Sequence, residues 1–334
     1  MNLPVRILLS LLCAALVASS LFVISSPSML EDALWDIQEQ LDSEAEERGF
    51  LSLFVSSARA EAAEAEYSLP IDTSAGMKPD ASLFTPDGYE DASIRVQMET
   101  REEDGVVWRI AWVEIASPTQ LRTAYAGKTI KKDTTGLVTV MAKQHNAIVA
   151  INGDNYTNEK AKHSFIYRMG EKRQDKLNKQ KDILIIDENG DFHTFIKSAG
   201  ADKFEKETGH QIVNAFMFGP ALVKDSEVLK LDKEYNFNPN GREPRCAIGQ
   251  LDTLSYVLVI ADGRGNSGSE GATHQELAEF MASLGCKEAY NLDGGNSSIM
   301  MFNGKMVNNK VGQERDVTDM IYFATAVPPE EWEQ

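Results

Sequence analysis

Residues 93–98 alternate between apolar and polar positions and residues 106–115 run apolar, with Glu102-Glu103-Asp104-Gly105 between them, so the pattern predicts a β-hairpin. Residues 137–145 carry helical spacing. Residues 147–151 form an apolar run that stops at Asn152-Gly153-Asp154, as a buried strand does. A second hairpin is predicted over 182–196 around Asn189-Gly190, a strand over 216–223, and more strands over 245–260. From Thr273 the period turns helical. Leu277, Phe280, Met281 and Leu284 share a face, Gly285 is the stop, and Thr273 with Glu276 makes a capping box. A strand over 288–292 follows. The run 256–261, the glycine loop 265–271, this helix and the last strand form a β-α-β unit, which places Asp262 and Asp293 on one sheet edge and predicts two carboxylates facing one cleft. No period of 20 to 50 residues repeats. The expected fold is α+β, a mixed β-sheet with a few packed helices.

The N-terminal third has another character. Residues 7–25 hold no charged residue and, at about 1.5 Å per residue, are long enough to cross a hydrocarbon core of about 30 Å. Arg6 precedes them and acidic residues follow, which predicts a cytoplasmic N-terminus and an extracellular remainder. A cleavable signal peptide is the rival, with Val17-Ala18-Ser19 as the cleavage site, but Leu21-Phe22-Val23-Ile24 continues the apolar run and favours an uncleaved anchor. The expected organisation is a transmembrane signal anchor at 1–26, an acidic helical stalk at 27–66, a linker at 67–92, a catalytic domain at 93–327 and a tail at 328–334. Leu30, Leu34, Ile37 and Leu41 follow a heptad seam, so self-association through the stalk is an expected contact.

Composition narrows the partners. The 334 residues have a formal net charge of -18, which argues against nucleic acid. Half of that excess lies in 31–66, where eleven acidic residues face Arg48 and Arg59. A cleft for an anion must then rely on local guanidinium groups, for which Arg245, Arg264 and Arg315 are the candidates. Cys13 falls in the anchor, and Cys246 with Cys286 could be bridged or free.

The densest chemistry is in Asn291-Leu292-Asp293-Gly294-Gly295-Asn296-Ser297-Ser298. A strand entering a two-glycine turn brings backbone N–H groups close to a ligand, while Asp293, Ser297 and Ser298 can hold a sugar hydroxyl, a phosphate oxygen or a metal ion. The plain alternative is an Asp-Gly hairpin turn. Asp154 and Asp262 end their strands in the same way, and three such ends converge more readily on one site than on three unrelated turns.

Taken together, Ile151-Asn152-Gly153-Asp154, Pro244-Arg245-Cys246-Ala247-Ile248-Gly249, Asp262-Gly263-Arg264, the helix over 271–284, the octet around Asp293 and Glu314-Arg315 resemble the phosphodiester glycosidase family over roughly residues 90–327. An animal member of that family removes N-acetylglucosamine from a mannose-6-phosphate diester. Three departures stand out: Asn296 replaces a third glycine, Ala272 and His274 replace Met and Leu, and Asn155-Tyr156 replaces two aromatic residues. His274 is expected to face solvent in the first helical turn.

The resemblance implies hydrolysis of a sugar C1–O–phosphate bond. Arg245 and Arg315 are expected to hold the phosphate, Asp293 and Asp154 to act as the base or nucleophile pair, and Asn152, Ser297 and Ser298 to orient the sugar. Gly153, Gly294 and Gly295 would admit substrate near the backbone, with Asp262 and Arg264 either in the site or joined as a structural ion pair. No cofactor is required, although a Ca²⁺ ion between Asp154 and Asp293 is an alternative use of those carboxylates. The expected substrate is a sugar phosphodiester or an anionic envelope polymer. Loops over 155–181 and 232–241 are placed to border the cleft, and Lys160, Lys162, Lys172, Arg173, Lys176, Lys179 and Lys181 form a basic stretch in the first. Two rivals differ in class. One is a non-catalytic envelope module that binds a glycan or phosphodiester. The other is a metal-dependent phosphodiesterase, against which the five histidines, at 145, 163, 193, 210 and 274, show no metal-ligand spacing.

Overall fold

Strand Ser255–Ala261 is buried along its whole length because both of its faces are apolar. Tyr256, Leu258 and Ile260 point to one hydrophobic core, and Val257, Val259 and Ala261 to another. The two-residue period of a strand turns that run into the partition between two cores. The computed structural model describes residues 74–127, 134–155, 164–235, 238–309 and 313–328. The expected anchor and stalk lie outside these residues. No helix among the described residues is long and apolar enough to cross a membrane.

The eight-stranded sheet has the order Gly88–Glu90, Ile94–Glu103, Val106–Ile115, Ser255–Ala261, Arg245–Asp252, Glu288–Asn291, Ala221–Lys224 and Glu227–Val228. A five-stranded sheet, in the order Lys305–Met306, Met300–Phe302, Val149–Asn152, Asp319–Phe323 and Leu121–Tyr125, packs against it. Val149, Ile151, Ile321 and Phe323 meet Tyr256, Leu258 and Ile260 in the core between the two sheets. Helix His274–Ser283 covers the outer face of the first sheet and helix Val138–Gln144 that of the second, giving α/β/β/α layering. A further five-stranded sheet, Glu171–Asp175, Phe165–Arg168, Ile212–Phe216, Ile183–Asp187 and Phe192–Phe195, packs with helix Phe204–Thr208.

Local chemistry accounts for these elements. The first hairpin turns at Asp104 and Gly105, both at positive φ, which matches the right-handed twist of its strands. Thr273 Oγ1 accepts the Glu276 amide at 3.1 Å and Glu276 returns a bond to the Thr273 amide at 2.8 Å, the expected capping box. The helix then buries Leu277, Phe280 and Met281, worth about 1.5–3 kcal/mol each, with Phe280 stacked on Trp108 at 3.9 Å.

The fold is α+β and sheet-dominated, with few helices. Its strand pairs are antiparallel, where a mixed sheet was expected. The β-α-β crossover exists, but strand Arg245–Asp252 lies between its two strands, so the parallel strands are not neighbours. Two boundaries also shift. The expected linker is part of the domain from Gly76 onward, since Met77 bridges Thr325, Gly88–Glu90 is an edge strand and Tyr89 enters the core. The single strand expected over 216–223 is two strands, separated at Gly219-Pro220 by a cis peptide bond.

Candidate functional site

Four chain segments meet at one end of the two packed sheets. Strand Arg245–Asp252 begins there, Ser255–Ala261 and Glu288–Asn291 end there, and Val149–Asn152 arrives from the facing sheet. Their turns enclose a cleft of about 330 Å³ whose wall includes Asn155, Phe218, Asn238, Glu243, Arg245, Arg264, Asp293, Asn296 and Arg315.

Asp293 is 8% exposed and presents its carboxylate to this cleft. Asn155 Nδ2 donates to its Oδ2 at 3.2 Å. Its backbone is held as well, by Asn152 Nδ2 donating to the Asp293 carbonyl at 2.7 Å and by the Asp293 amide donating to the Gly153 carbonyl at 3.2 Å. Asn152 is fully buried and its Oδ1 accepts the Ile299 amide at 3.0 Å, so it joins two turns and leaves nothing for a sugar hydroxyl. Gly153 lies where a Cβ would come within 2.5 Å of Asp319 Oδ1. Gly295, at φ +60°, donates its amide to the Pro244 carbonyl at 2.7 Å, and Gly294 lies against that carbonyl. Both glycines line the cleft, but the Gly295 N–H is committed to the protein.

Asp154 departs from its expected role as a base. Its Oδ1 accepts the Phe218 amide at 2.9 Å and its Oδ2 accepts the Met217 amide at 2.9 Å and Arg168 at 3.2 Å. It does not line the cleft. Arg168, fully buried, also pairs with buried Asp319 and lies 4.0 Å from the Phe216 ring centroid. Burial raises the Asp319 carboxyl to about 7 even against the pull of the Arg168 charge. Donor groups aimed at Asp154 do not suit a cation, so the Ca²⁺ arrangement between Asp154 and Asp293 does not fit these residues.

The arginines divide differently from expectation. Arg245, 3% exposed, donates to the carbonyls of Ala272 at 2.8 Å, Asn238 at 2.7 Å and Gly241 at 2.8 Å, and to His274 Nε2 at 2.9 Å. At least four of its five N–H groups thus stitch loop 238–241 to the helix start. Burial lowers Arg245 to about 10, the Glu243 carboxylate opposing the shift and the Arg264 charge adding to it. Arg264 uses Nε on Glu243 at 2.7 Å and one terminal nitrogen on Asn296 at 2.5 Å, which leaves three N–H groups unused among the described residues. Arg315 is exposed on the cleft wall and makes no hydrogen bond or ion pair among the described residues. Among the described residues, the guanidinium donors of the cleft wall open to an anion are therefore the three unused N–H groups of Arg264 and those of Arg315.

Asp262 reaches the same sheet edge as Asp293, but its carboxylate turns to Arg109, which binds Oδ2 through Nε at 3.1 Å and a terminal nitrogen at 3.0 Å. The cleft receives one of the two expected strand-end carboxylates. The expected Asp262–Arg264 pair is replaced by Asp262–Arg109 and Arg264–Glu243. Ser297 and Ser298 are each 1% exposed and lie behind the cleft wall, with hydroxyls that have no hydrogen-bond partner among the described residues. His274 is not solvent-facing: it is 1% exposed and accepts from Arg245, and burial, then the Arg245 charge, push it down to about 3, so the imidazole is neutral.

Of the bordering loops, 232–241 contributes Asn238, and 155–181 contributes Asn155 but folds from 165 to 175 into a hairpin. In the basic stretch Lys172 pairs with Asp175, and Lys181 sits 4.9 Å from the Tyr235 ring centroid and donates to the Phe218 carbonyl at 3.0 Å. Cys246 and Cys286 are buried free thiols. Among the described residues the carboxylate–imidazole cluster with metal-like spacing is Asp187, Glu188 and His210, in and beside a hairpin turn away from the cleft.

Glu243, a second carboxylate in the cleft, is the main residue missed from the sequence, along with Asn155, Asn238 and Arg168. For Arg168 a signal existed, a charge at an inward position after the apolar pair Phe165-Ile166.

A model of the phosphodiester glycosidase family matches residues 145–324, more than half of the chain. Over 109 residues the chain is 38% identical to the SPbeta prophage-derived uncharacterized protein YomE of Bacillus subtilis. That match covers 32% of this chain and 17% of the relative, so the chain spans about a sixth of that relative's length. The fold is similar to the catalytic domain of zebrafish N-acetylglucosamine-1-phosphodiester alpha-N-acetylglucosaminidase auto-inhibited by its pro-peptide, with a TM-score of 0.55 and 16% identity over 75% of this chain and 87% of that one. A hypothetical protein from Synechocystis gives 0.52 and 16%, over 71% and 64%. At these identities the two structures show a shared fold.

Proposed function

This chain belongs to the phosphodiester glycosidase family, and from that membership we propose that it hydrolyses the C1–O bond between a sugar and the phosphate of a phosphodiester. The observation that carries this reading is a cleft that joins the Asp293 carboxylate to Arg264 and Arg315, both of which keep N–H groups unused among the described residues.

The bond explains why such a set is sufficient. A phosphate monoester leaves as a stabilised anion and needs less protonation than an alkoxide, so charge neutralisation by Arg264 and Arg315 does part of the work of a general acid. Asp293 acts at the anomeric carbon as nucleophile or as base toward water. Glu243, held by Arg264 and by Asn238 Nδ2 at 3.3 Å, is the second carboxylate of the cleft. Water supplies the hydroxyl that ends on C1, and the C1–O electron pair leaves with the phosphate. Asn238 and Asn296 offer amide groups to sugar hydroxyls.

The apolar run 7–25 supports a membrane anchor with the domain outside, and an envelope glycan or phosphoglycan as the polymer that carries the diester. The heptad-spaced stalk supports self-association.

The test is ³¹P NMR product analysis of the full chain in ¹⁸O water, with a sugar-1-phosphodiester and with an anionic phosphoglycan, beside Asp293→Asn. Label in the released sugar together with a phosphomonoester, both lost in the variant, supports C–O cleavage. Label in the phosphate means P–O cleavage, and no turnover on either substrate favours a binding module; both outcomes overturn the reading.

A further inference from the structure

The turn after strand Val149–Asn152 grips Asp293 at three places with nearly successive residues: Asn152 on its carbonyl, Gly153 on its amide and Asn155 on its carboxylate. We propose that Asn155 is a positioning residue that sets the orientation and the charge of the Asp293 carboxylate, an inference that rests on the reading of Asp293 as the reacting group.

Asn155 follows a backbone that cannot drift. Both oxygens of Asp154 are held by the Met217 and Phe218 amides and by Arg168, and its carbonyl accepts Thr318 Oγ1 at 2.8 Å. Arg168 is fixed in turn by Asp319, Phe216 and the Tyr167 carbonyl at 2.7 Å. The buried ion pairs thus form the root of a short lever that ends in the Asn155 amide. From that root Nδ2 reaches Asp293 Oδ2 at 3.2 Å, inside hydrogen-bond range. A donor to a carboxylate oxygen favours the ionised form and restricts rotation about the Cβ–Cγ bond, and a nucleophile or base at an anomeric carbon needs both.

The experiment compares the full chain with Asn155→Ala and the isosteric Asn155→Asp. It measures kcat and KM across pH on a sugar-1-phosphodiester, the thermal midpoint, and the ¹³C NMR titration of the Asp293 carboxylate, assigned through Asp293→Asn. Expected for Asn155→Ala is a kcat loss of about tenfold to a hundredfold at nearly unchanged KM and thermal midpoint. The acid limb of the pH–rate profile and the Asp293 titration midpoint both move to higher pH, further in Asn155→Asp because it adds a like charge. An acid limb and a titration midpoint that stay in place in both variants overturn the proposal. A wild-type chain inactive on every diester, with the midpoint moving as stated, sinks the hydrolase reading and leaves the Asn155–Asp293 coupling standing; an unmoved midpoint in that inactive chain overturns the coupling as well.

Discussion

The Asn152 side chain donates to the main-chain carbonyl of Asp293 at 2.7 Å and accepts the Ile299 amide at 3.0 Å. One fully buried amide thereby joins the turn after strand Glu288–Asn291 of the eight-stranded sheet to two strands of the facing sheet, and the cleft forms where the sheets are joined.

Asn152→Ala leaves the Ile299 amide and the Asp293 carbonyl without this partner. At about 1–3 kcal/mol for each buried group left unpaired, a loss of about 2–6 kcal/mol is expected. Thermal denaturation should show a midpoint lower by roughly 5–20 °C. A midpoint within a degree of wild type would mean that the two turns are held by other contacts.

The arginines should separate in their effects. Arg245→Lys removes most of the bonds to Ala272, Asn238, Gly241 and His274 and should lower the thermal midpoint, since lysine cannot reproduce a planar five-donor fork. Arg264→Ala should raise KM for a phosphodiester by about tenfold, the worth of one or two charge-assisted hydrogen bonds, with little change in midpoint. The reverse pattern would restore Arg245 to the phosphate site.

Gly153→Ala places a methyl group 2.5 Å from Asp319 Oδ1, on a carboxylate whose other oxygen, Oδ2, Arg168 holds in place. Overpacking of this kind costs about 1–3 kcal/mol or more. Urea denaturation should show it, along with weaker activity, because the Gly153 carbonyl also accepts the Asp293 amide.

Glu114 is 2% exposed, with neither carboxylate oxygen hydrogen-bonded among the described residues, and burial raises it to about 7 against the partial pull of Arg95 on the neighbouring strand. A folded-state value above the unfolded one means that the folded chain binds the proton more tightly. Its contribution to stability is therefore complete below the unfolded value, near 4.5, and is lost as pH rises through about 7. Glu114→Gln should flatten the stability curve between those limits and stabilise the chain at pH 8 by about 2–3 kcal/mol. Urea titrations at pH 5 and pH 8 test this, and an unchanged pH slope refutes it.

Much of the secondary structure is legible along the chain. The capped helix at Thr273, the hairpins at Gly105 and Gly190 and the buried strand ending at Asn152 follow from period, cap and turn residues, all local properties of the backbone. Convergence of the Asp154 and Asp293 turns is also legible, since a glycine flanked by amide and carboxylate at a strand end is a repeated signal. The mistakes are at the next level. Asp154 and Asp293 look alike in sequence, yet one carboxylate meets amide donors of residues 217 and 218 and the other meets the cleft. His274 looks like a surface residue of a first helical turn until loop 238–241 covers it, when Arg245 takes its Nε2 and the His274 amide binds the Pro239 carbonyl at 3.0 Å.

Periodicity and turn chemistry act over a few residues, and they determine which segments become strands and helices, where the chain turns and which ends can gather. The pairing of polar groups acts across the fold. Asn152 finds Asp293, Arg168 finds Asp319 and Arg109 finds Asp262 across separations of 141, 151 and 153 residues. No local pattern records which of several arginines will meet a given carboxylate, because that choice depends on which buried charge would otherwise be left unpaired once the sheets have packed. Tertiary packing alone therefore assigned Asp154 and Arg245 to the framework and left Asp293, Glu243, Arg264 and Arg315 to face the cleft.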